Sequence, residues 1–245
     1  MKIKAIKKIL WTIFTCFICL SSGLLMANDV AFSQQLKNGQ TIIHCQANPY
    51  RANLCIENNK EVTNLSKLKP FSRILETLVS ESEDYLALWY HLERPPLIID
   101  IYSLKNNERL ARFSPGLGGA LIWLKNNKLI HIYGGGTGVQ GYNIYDTQGR
   151  DKTDSFNDFY GLNEAAWFVD VSPEGRYVAF IPANMSSVGQ QAMVKVVDTV
   201  LSKQVHINFS EDSCLFEDIR WQGTKVYIDF NCENSNEQYT ETVSG

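Results

Sequence analysis

Carboxylates are the residues of this sequence whose placement could best support catalysis. Aspartate recurs within or at the end of three apolar segments, at Asp100, Asp146 and Asp198. Two carboxyl groups about 5–10 Å apart would suit glycoside hydrolysis. An aspartate that recurs at one place in each repeat is instead typical of a turn that its side chain holds through bonds to the backbone. We therefore predict a structural role for all three.

The other reactive residue types form weaker patterns. A Gly-Gly-Gly-Thr-Gly segment at 134–138 lies between two strand-like segments, whereas a phosphate-binding loop precedes a helix. No Gly-x-Ser-x-Gly motif occurs. The histidines lack the spacing of zinc ligands; they are His44, His91, His131 and His206. We therefore predict no metal, no cofactor and no catalytic residue, and we expect that the chain is not an enzyme.

The elements that would carry these residues repeat along the chain. Short alternating segments are separated by Gly, Asn, Asp and Pro, which predicts strands and turns. The residues just before four equivalent turns are Val79, Trp123, Val171 and Trp221, spaced by 44, 48 and 50 positions. A period of about 40–50 residues that holds four strands is typical of a β-propeller blade.

One repeat resembles a known family. The segment Asp-Val-Ser-Pro-Glu-Gly-Arg-Tyr-Val-Ala-Phe at 170–180 resembles the TolB-type, WD40-like propeller repeat. Segments 144–146 and 196–198 resemble the third strand of that repeat and its aspartate. The resemblance covers roughly residues 75–232. Propellers of this type usually have six or more blades, and this chain has room for about four or five. We therefore predict an all-β, small or incomplete β-propeller-like domain of about four to five antiparallel blades.

The N-terminal segment predicts export. Four lysines within the first eight residues precede an apolar run, which ends on a small residue at Ala27. This is the pattern of a signal peptide over 1–27, which leaves 28–245 as a single propeller-like domain. The run is also long enough for a retained membrane anchor, so this alternative stays open. We expect a periplasmic or secreted protein.

Cysteine spacing predicts two disulfides. Four cysteines follow the signal segment, and an even number in an exported chain is typical of disulfide bonds. Cys45 and Cys55 lie symmetrically about residue 50, and Cys214 and Cys232 lie almost symmetrically about residue 223. Facing positions on paired strands have the separation that a disulfide needs. We therefore predict Cys45–Cys55 and Cys214–Cys232.

Charge limits the partners of the chain. The whole sequence has 23 basic and 26 acidic residues, and residues 1–27 hold four lysines and no acid. Residues 28–245 therefore have a net charge of −7. This charge argues against nucleic acid and against an anionic membrane surface. It favours another exported protein, with a basic toxin as one candidate, although the same charge would also serve solubility alone.

Two polar connections carry large apolar side chains. The segment 151–163 is rich in Asp, Ser and Asn, and a second connection spans 182–191. Loops that carry aromatic residues are frequent binding sites. We therefore predict that partner binding uses Phe156, Phe159, Tyr160 and Met185.

These observations favour an exported, non-enzymatic protein-binding module. Within that class, its small size and acidic charge suggest an immunity or inhibitor protein that neutralises an exported toxin or effector. Two alternatives remain open. The resemblance implies an envelope scaffold of the TolB type, and the aspartates leave a carbohydrate-active hydrolase on a propeller scaffold.

Overall fold

A computed structural model describes most of the chain after residue 31. The described residues are 32–48, 51–59, 61–66, 73–91, 96–134, 140–162, 166–182, 193–208, 214–232 and 235–242. The predicted signal peptide, the glycine-rich segment after Gly134 and Met185 lie outside them. Within the described part, no helix is both long and apolar enough to cross a lipid bilayer.

The described residues form five antiparallel sheets, each built from strands that are consecutive in sequence. Sheet 1 contains β1 (Ser33–Gln35), β2 (Thr41–Asn48), β3 (Arg51–Asn58) and β4 (Glu61–Ser66). Sheet 2 contains β5 (Arg73–Val79), β6 (Tyr85–His91), β7 (Leu97–Ser103) and β8 (Glu108–Phe113).

The remaining sheets differ in their number of strands. Sheet 3 has three, namely β9 (Ala120–Trp123), β10 (Leu129–Gly134) and β11 (Gln140–Tyr145), and is followed by helix α1 (Thr153–Tyr160). Sheet 4 contains β12 (Ala166–Val171), β13 (Tyr177–Pro182), β14 (Met193–Asp198) and β15 (Lys203–Asn208). Sheet 5 contains β16 (Cys214–Gln222), β17 (Lys225–Cys232) and β18 (Ser235–Thr242).

One turn geometry recurs through the sheets. The N–H of the fourth turn residue donates to the carbonyl of the first, as Gly175 does to Ser172 at 2.8 Å. The fourth residue has a positive φ, which glycine and asparagine adopt at least cost. The Ser-Pro-Glu-Gly motif is therefore one instance of a general turn. In the five turns of this kind, the fourth residues have φ between 58° and 86° and are Gly39, Glu83, Asn127, Gly149 and Gly175.

Adjacent sheets are joined by apolar cores and by contacts between their turns. The Lys37 N–H donates to Glu83 Oε2 at 2.6 Å and so joins sheets 1 and 2. Lys125 links sheet 3 to both neighbours: its Nζ lies 3.1 Å from Glu81 Oε1, and its N–H donates to Gly175 O at 2.8 Å. Each of the four described core clusters contains side chains from two adjacent sheets: Leu54 and Leu88 belong to one, Trp89 and Leu129 to the next, Ile144 and Phe180 to the third, and Tyr177 and Val226 to the fourth.

The cysteines are placed largely as predicted. Cys45 and Cys55 form a disulfide with a Cα–Cα distance of 5.8 Å. They are diagonal rather than facing, because Cys45 lies opposite Asn53 and Cys55 opposite Ile43. Cys214 and Cys232 are direct partners in the strand register. Their side chains lie outside the described part, so the second disulfide stays a prediction.

Candidate functional site

Residues 153–160 form a helix, although the sequence predicts a connecting loop at these positions. The Thr153 hydroxyl accepts the Ile144 N–H at 3.0 Å, and the Lys152 N–H donates to Ile144 O at 2.7 Å. These bonds fix the start of α1 beside β11. The helix ends at Gly161, whose φ of 59° suits glycine. The helix therefore lies at the outer edge of sheet 3, where sheets 2 and 4 have a fourth strand.

The three aromatic residues of α1 do not share one environment. Phe156 and Tyr160 are four residues apart and belong to the core between sheets 3 and 4, with 2% and 6% of their surface exposed. These two side chains are therefore core residues first, with only a small exposed fraction each, and partner binding by them stays a prediction. Phe159 lies beside them, at the solvent edge of the helix, and is 64% exposed. Partner binding by Phe159 stays a prediction.

A cavity of about 390 Å³ opens beside α1. The helix contributes Phe156, Phe159 and Tyr160, and turns of sheets 3 and 4 contribute the opposite walls. The Tyr160 hydroxyl donates to Asp198 O at 3.3 Å, which ties the helix to the turn after β14. The other described lining residues are Asn126, Lys128, Asp146, Lys152, Ser155, Thr199 and Ser202.

The charges of this cavity come from two lysines and one aspartate. Burial tends to raise the pKa of Asp146, but hydrogen bonds from Arg150 and from the Gln148 N–H outweigh it, so the pKa lies below its usual range. Asp146 Oδ2 also accepts the Arg150 Nε–H at 2.7 Å. Lys128 Nζ lies 5.8 Å from the centre of the Phe156 ring, within the range of a cation–π contact. The Asp146 carboxylate therefore has the Arg150 guanidinium as its own counter-ion.

Two of the three recurring aspartates have the predicted role. Asp146 Oδ1 accepts the N–H groups of Gln148 and Arg150, each at 2.9 Å. Asp198 Oδ1 accepts those of Val200 and Leu201 at 2.9 and 3.0 Å. Both carboxylates therefore hold a turn.

Asp100 differs, because it lies within β7 rather than at its end. Its carboxylate is fully buried and accepts two hydrogen bonds of 2.7 Å from the Arg112 guanidinium. The hydroxyls of Tyr90 and Tyr102 donate to it at 3.3 and 3.1 Å. Burial, together with the charge of Asp100, raises the pKa of Tyr90 to about 12. The residue that supports the turn in sheet 2 is Ser103, whose Oγ accepts the Asn106 N–H at 3.3 Å.

Two other acidic residues, Asp170 and Asp218, lie on the first strands of sheets 4 and 5. Burial raises the pKa of Asp170 to about 6, and the charge of Asp218 acts in the same direction. The Val171 N–H donates to Asp170 Oδ1 at 2.9 Å. Asp218 lies 3.9 Å from the Arg220 guanidinium. Metal-binding groups of three or more His, Cys, Asp or Glu are absent from the part of the chain that the structure describes.

No family model and no curated protein matches the sequence. Solved structures do match, at low identity. The β-propeller domain of the Trilobed protease from Pyrococcus furiosus has a TM-score of 0.51 and 13% identity, over 87% of this chain and 67% of that one. The chain has an all-β, propeller-like fold. The five sheets correspond to five blades, within the predicted number.

The same comparison corrects one prediction. The acylaminoacyl peptidase from Pyrococcus horikoshii matches with a TM-score of 0.50 and 10% identity, over 88% of this chain and 38% of the peptidase. The fold therefore occurs within peptidases, and this finding overturns the prediction that the chain is not an enzyme. Neither the expected propeller fold nor the missing catalytic motif was sufficient ground for that prediction.

The resemblance to TolB stays at the level of the propeller fold. TolB from Acinetobacter baumannii matches with 15% identity and a TM-score of only 0.35, over 82% of this chain and 51% of that one. This similarity is too low to support a closer relationship. The chain spans 67% of the Trilobed protease propeller domain, 38% of the acylaminoacyl peptidase and 51% of TolB.

Sequence reasoning missed the lysines of the cavity. Lys128 lies in the turn between β9 and β10, and Lys152 follows the turn after β11. The remaining wall, at Thr199 and Ser202, comes from sheet 4. The repeat could have indicated this, because equivalent turns of adjacent blades lie side by side. The helix also had a signal, the i, i+4 spacing of Phe156 and Tyr160 with Gly161 directly after.

Proposed function

We propose that this chain is a protein-binding module that holds another exported protein on the outer edge of sheet 3. One observation carries the proposal: Phe159 is 64% exposed on a helix beside a cavity of about 390 Å³. Interface energy concentrates in a few aromatic or arginine anchors, and such anchors enter pockets or lie beside them. We name the surface formed by α1 and the cavity the α1 face.

The scaffold around the α1 face suits binding because it is held in place before a partner arrives. The helix start is bonded to β11 and its last tyrosine to the turn after β14. Asn126 on the opposite wall donates to Thr199 O at 3.2 Å and so joins sheets 3 and 4. A surface that is already ordered loses little conformational freedom on binding.

The Cys45–Cys55 disulfide supports an oxidising compartment. The predicted signal peptide agrees with it. We therefore place the binding partner in the periplasm or outside the cell.

Within this class we propose an inhibitor that covers the working surface of an exported effector, and a TolB-type envelope scaffold is the alternative. The net charge of −7 over residues 28–245 supports an inhibitor of a basic effector. An inhibitor must suppress the activity of its partner at a one-to-one ratio. A scaffold would bind the same partner and leave that activity intact.

Photocrosslinking tests the α1 face directly. The photoreactive residue p-benzoylphenylalanine replaces Phe159 in one full-chain variant, and Leu117 in a matched control. Leu117 is also exposed, at 56%, but belongs to the connection between β8 and β9 and does not line the cavity. We expect a discrete protein adduct in cells from position 159 and none from position 117. Equal adducts, or an adduct from position 117 alone, would contradict the proposal.

Substitutions of one exposed and one buried aromatic residue of α1 separate binding from folding. Phe159→Ala should weaken capture of the crosslinked protein by about 2 kcal/mol or more and leave the thermal midpoint nearly unchanged. Phe156→Ala should lower the free energy of unfolding by about 3–5 kcal/mol, because that side chain is buried. Calorimetry and a binding titration on both variants measure the two effects. A Phe159→Ala protein that binds normally would remove the anchor from the account.

A further inference from the structure

The cavity of the α1 face has a charge opposite to that of the chain. Residues 28–245 have a net charge of −7, yet the described charged residues that line the cavity are Lys128, Lys152 and Asp146. Asp146 already pairs with the Arg150 guanidinium at 2.7 Å. The local charge that remains for a ligand is therefore positive.

Neither lysine has an acidic partner within the described part of the chain. No carboxylate there lies within 4.0 Å of Lys128 Nζ or of Lys152 Nζ, whereas Lys125 of the same sheet pairs with Glu81 at 3.1 Å. Lys128 contacts only the face of the Phe156 ring among the described contacts of its ammonium group. An ammonium group at a partly enclosed site without a counter-ion favours an anion there.

The remaining walls define what the anion is attached to. Phe156 and Tyr160 give an apolar inner wall, and Phe159 lies at the exposed edge with its ring 4.8 Å from that of Tyr160. Asn126, Ser155 and Ser202 add polar groups to the lining. The cavity volume lies at the low end of the range for small-ligand pockets, about 300–1,000 Å³. It has room for one or two side chains.

We propose that the cavity binds an acidic side chain of the protein partner, with an apolar or aromatic side chain of the same segment against Phe159. This inference rests on the proposed function and adds the chemistry of the recognised segment. The carboxylate lies between the ammonium groups of Lys128 and Lys152, and its neighbour covers the exposed ring. A small free acid would fill the cavity and leave the Phe159 ring at the edge uncovered, which is why a protein segment fits better.

The cavity recognises an acidic segment of the partner, whereas the net charge of this chain suggests a basic partner surface. An acidic chain attracts a basic partner over a distance, which mainly sets the association rate. The contact at the α1 face is the reverse, a basic cavity that holds an acidic residue. A basic effector with one acidic residue beside an aromatic one satisfies both requirements.

The test uses the full chain with p-benzoylphenylalanine at position 159. Lys128→Glu and Lys152→Glu are combined in this background, and the pair Lys128→Arg and Lys152→Arg keeps the charge. Lys105→Glu is the matched control, since Lys105 is an exposed lysine in the turn after β7 and lies outside the cavity. Thermal midpoints of all variants confirm folding. We expect the double glutamate variant to lower the adduct yield about tenfold or more, and the arginine and Lys105→Glu variants to retain it.

A charge exchange identifies the acidic residue. Mass spectrometry locates the adduct on the partner, and each Asp or Glu near it is changed to Lys. One such change should weaken binding to the natural chain and restore the adduct with the double glutamate variant.

The outcomes separate this inference from the proposed function. An adduct that persists in the double glutamate variant overturns the acidic-side-chain proposal and leaves protein binding at the α1 face intact. No adduct in any variant overturns both. If 3-phenylpropionate abolishes the adduct at a concentration below that of the partner's own dissociation constant, the site belongs to a free small acid, and the proposal fails.

Discussion

Sheets 2 and 3 follow the same path through three strands and then differ at the outer edge. In sheet 2 the strand β8 completes the sheet, and its Arg112 forms two bonds of 2.7 Å to the buried Asp100. In sheet 3 helix α1 lies at that edge, and a cavity with an exposed Phe159 results. The outer position is therefore where these two blades differ, although it supplies apolar side chains to a core in both, Phe156 and Tyr160 from α1 and Phe113 from β8. Sheet 2 uses this position for stability alone, whereas in sheet 3 the helix adds two core side chains and leaves Phe159 exposed for the proposed binding.

The largest difference should follow from the aspartates of the two sheets. Asp100→Ala removes a buried carboxylate that five donors approach, so we expect a loss of about 3–5 kcal/mol in the free energy of unfolding. Asp146→Ala removes bonds to an exposed turn and should cost about 1 kcal/mol. Urea unfolding of both variants measures the contrast. Equal losses would mean that β8 contributes no more than a turn does.

A glycine at the boundary of sheets 3 and 4 should give the next largest effect. A Cβ atom at Gly175 would lie 2.3 Å from Trp123 O, so Gly175→Ala must push the two turns apart and adopt a strained φ of 70°. We expect a loss of about 3 kcal/mol in the free energy of unfolding. Gly223→Ala has a similar φ of 60° but open space around its Cβ, and it should cost about 1 kcal/mol. If the two variants lose the same amount, then close packing of the turns is not what holds these sheets together.

The boundary of sheets 2 and 3 should give a smaller effect that depends on pH. His131 is fully buried, its ring 6.0 Å from that of Trp89, and burial lowers its pKa. The unfolded chain therefore binds a proton at a higher pH than the folded chain. Stability is lost as the pH falls below the unfolded value of about 6.5. We expect His131→Phe to reduce this loss between about pH 7 and pH 5, measured by urea unfolding at each pH. An unchanged pH dependence would show that His131 accepts a proton without cost.

The repeat made the sheets predictable, because strand alternation and a fixed turn are local properties. The motif at 172–175 specifies the turn whose hydrogen bonds recur four more times. Asp146 and Asp198 were assigned correctly because each directly precedes its turn. The predicted role of Asp100 was wrong, because three more strand residues follow it before the turn begins. Counting from the turn rather than from the apolar segment would have separated them.

The candidate site was only partly predictable. The aromatic residues of α1 indicated a segment that does line a cavity, but two of the three are core residues, and eight residues are too few for a clear helical period. The cavity walls come from turns that are up to 76 positions apart, from Asn126 to Ser202. Only the stacking of neighbouring blades brings these turns together, and a single sequence does not contain that geometry explicitly.

Hydrogen exchange of the full chain with and without the protein crosslinked at position 159 tests the central claim most directly. If the partner binds at the α1 face, residues 146–162 and 199–203 should exchange more slowly in the complex. We expect no change at residues 104–113, the equivalent edge of sheet 2. Protection at 104–113, or on the first strands of sheets 4 and 5 alone, would show that the partner binds elsewhere and would contradict the account.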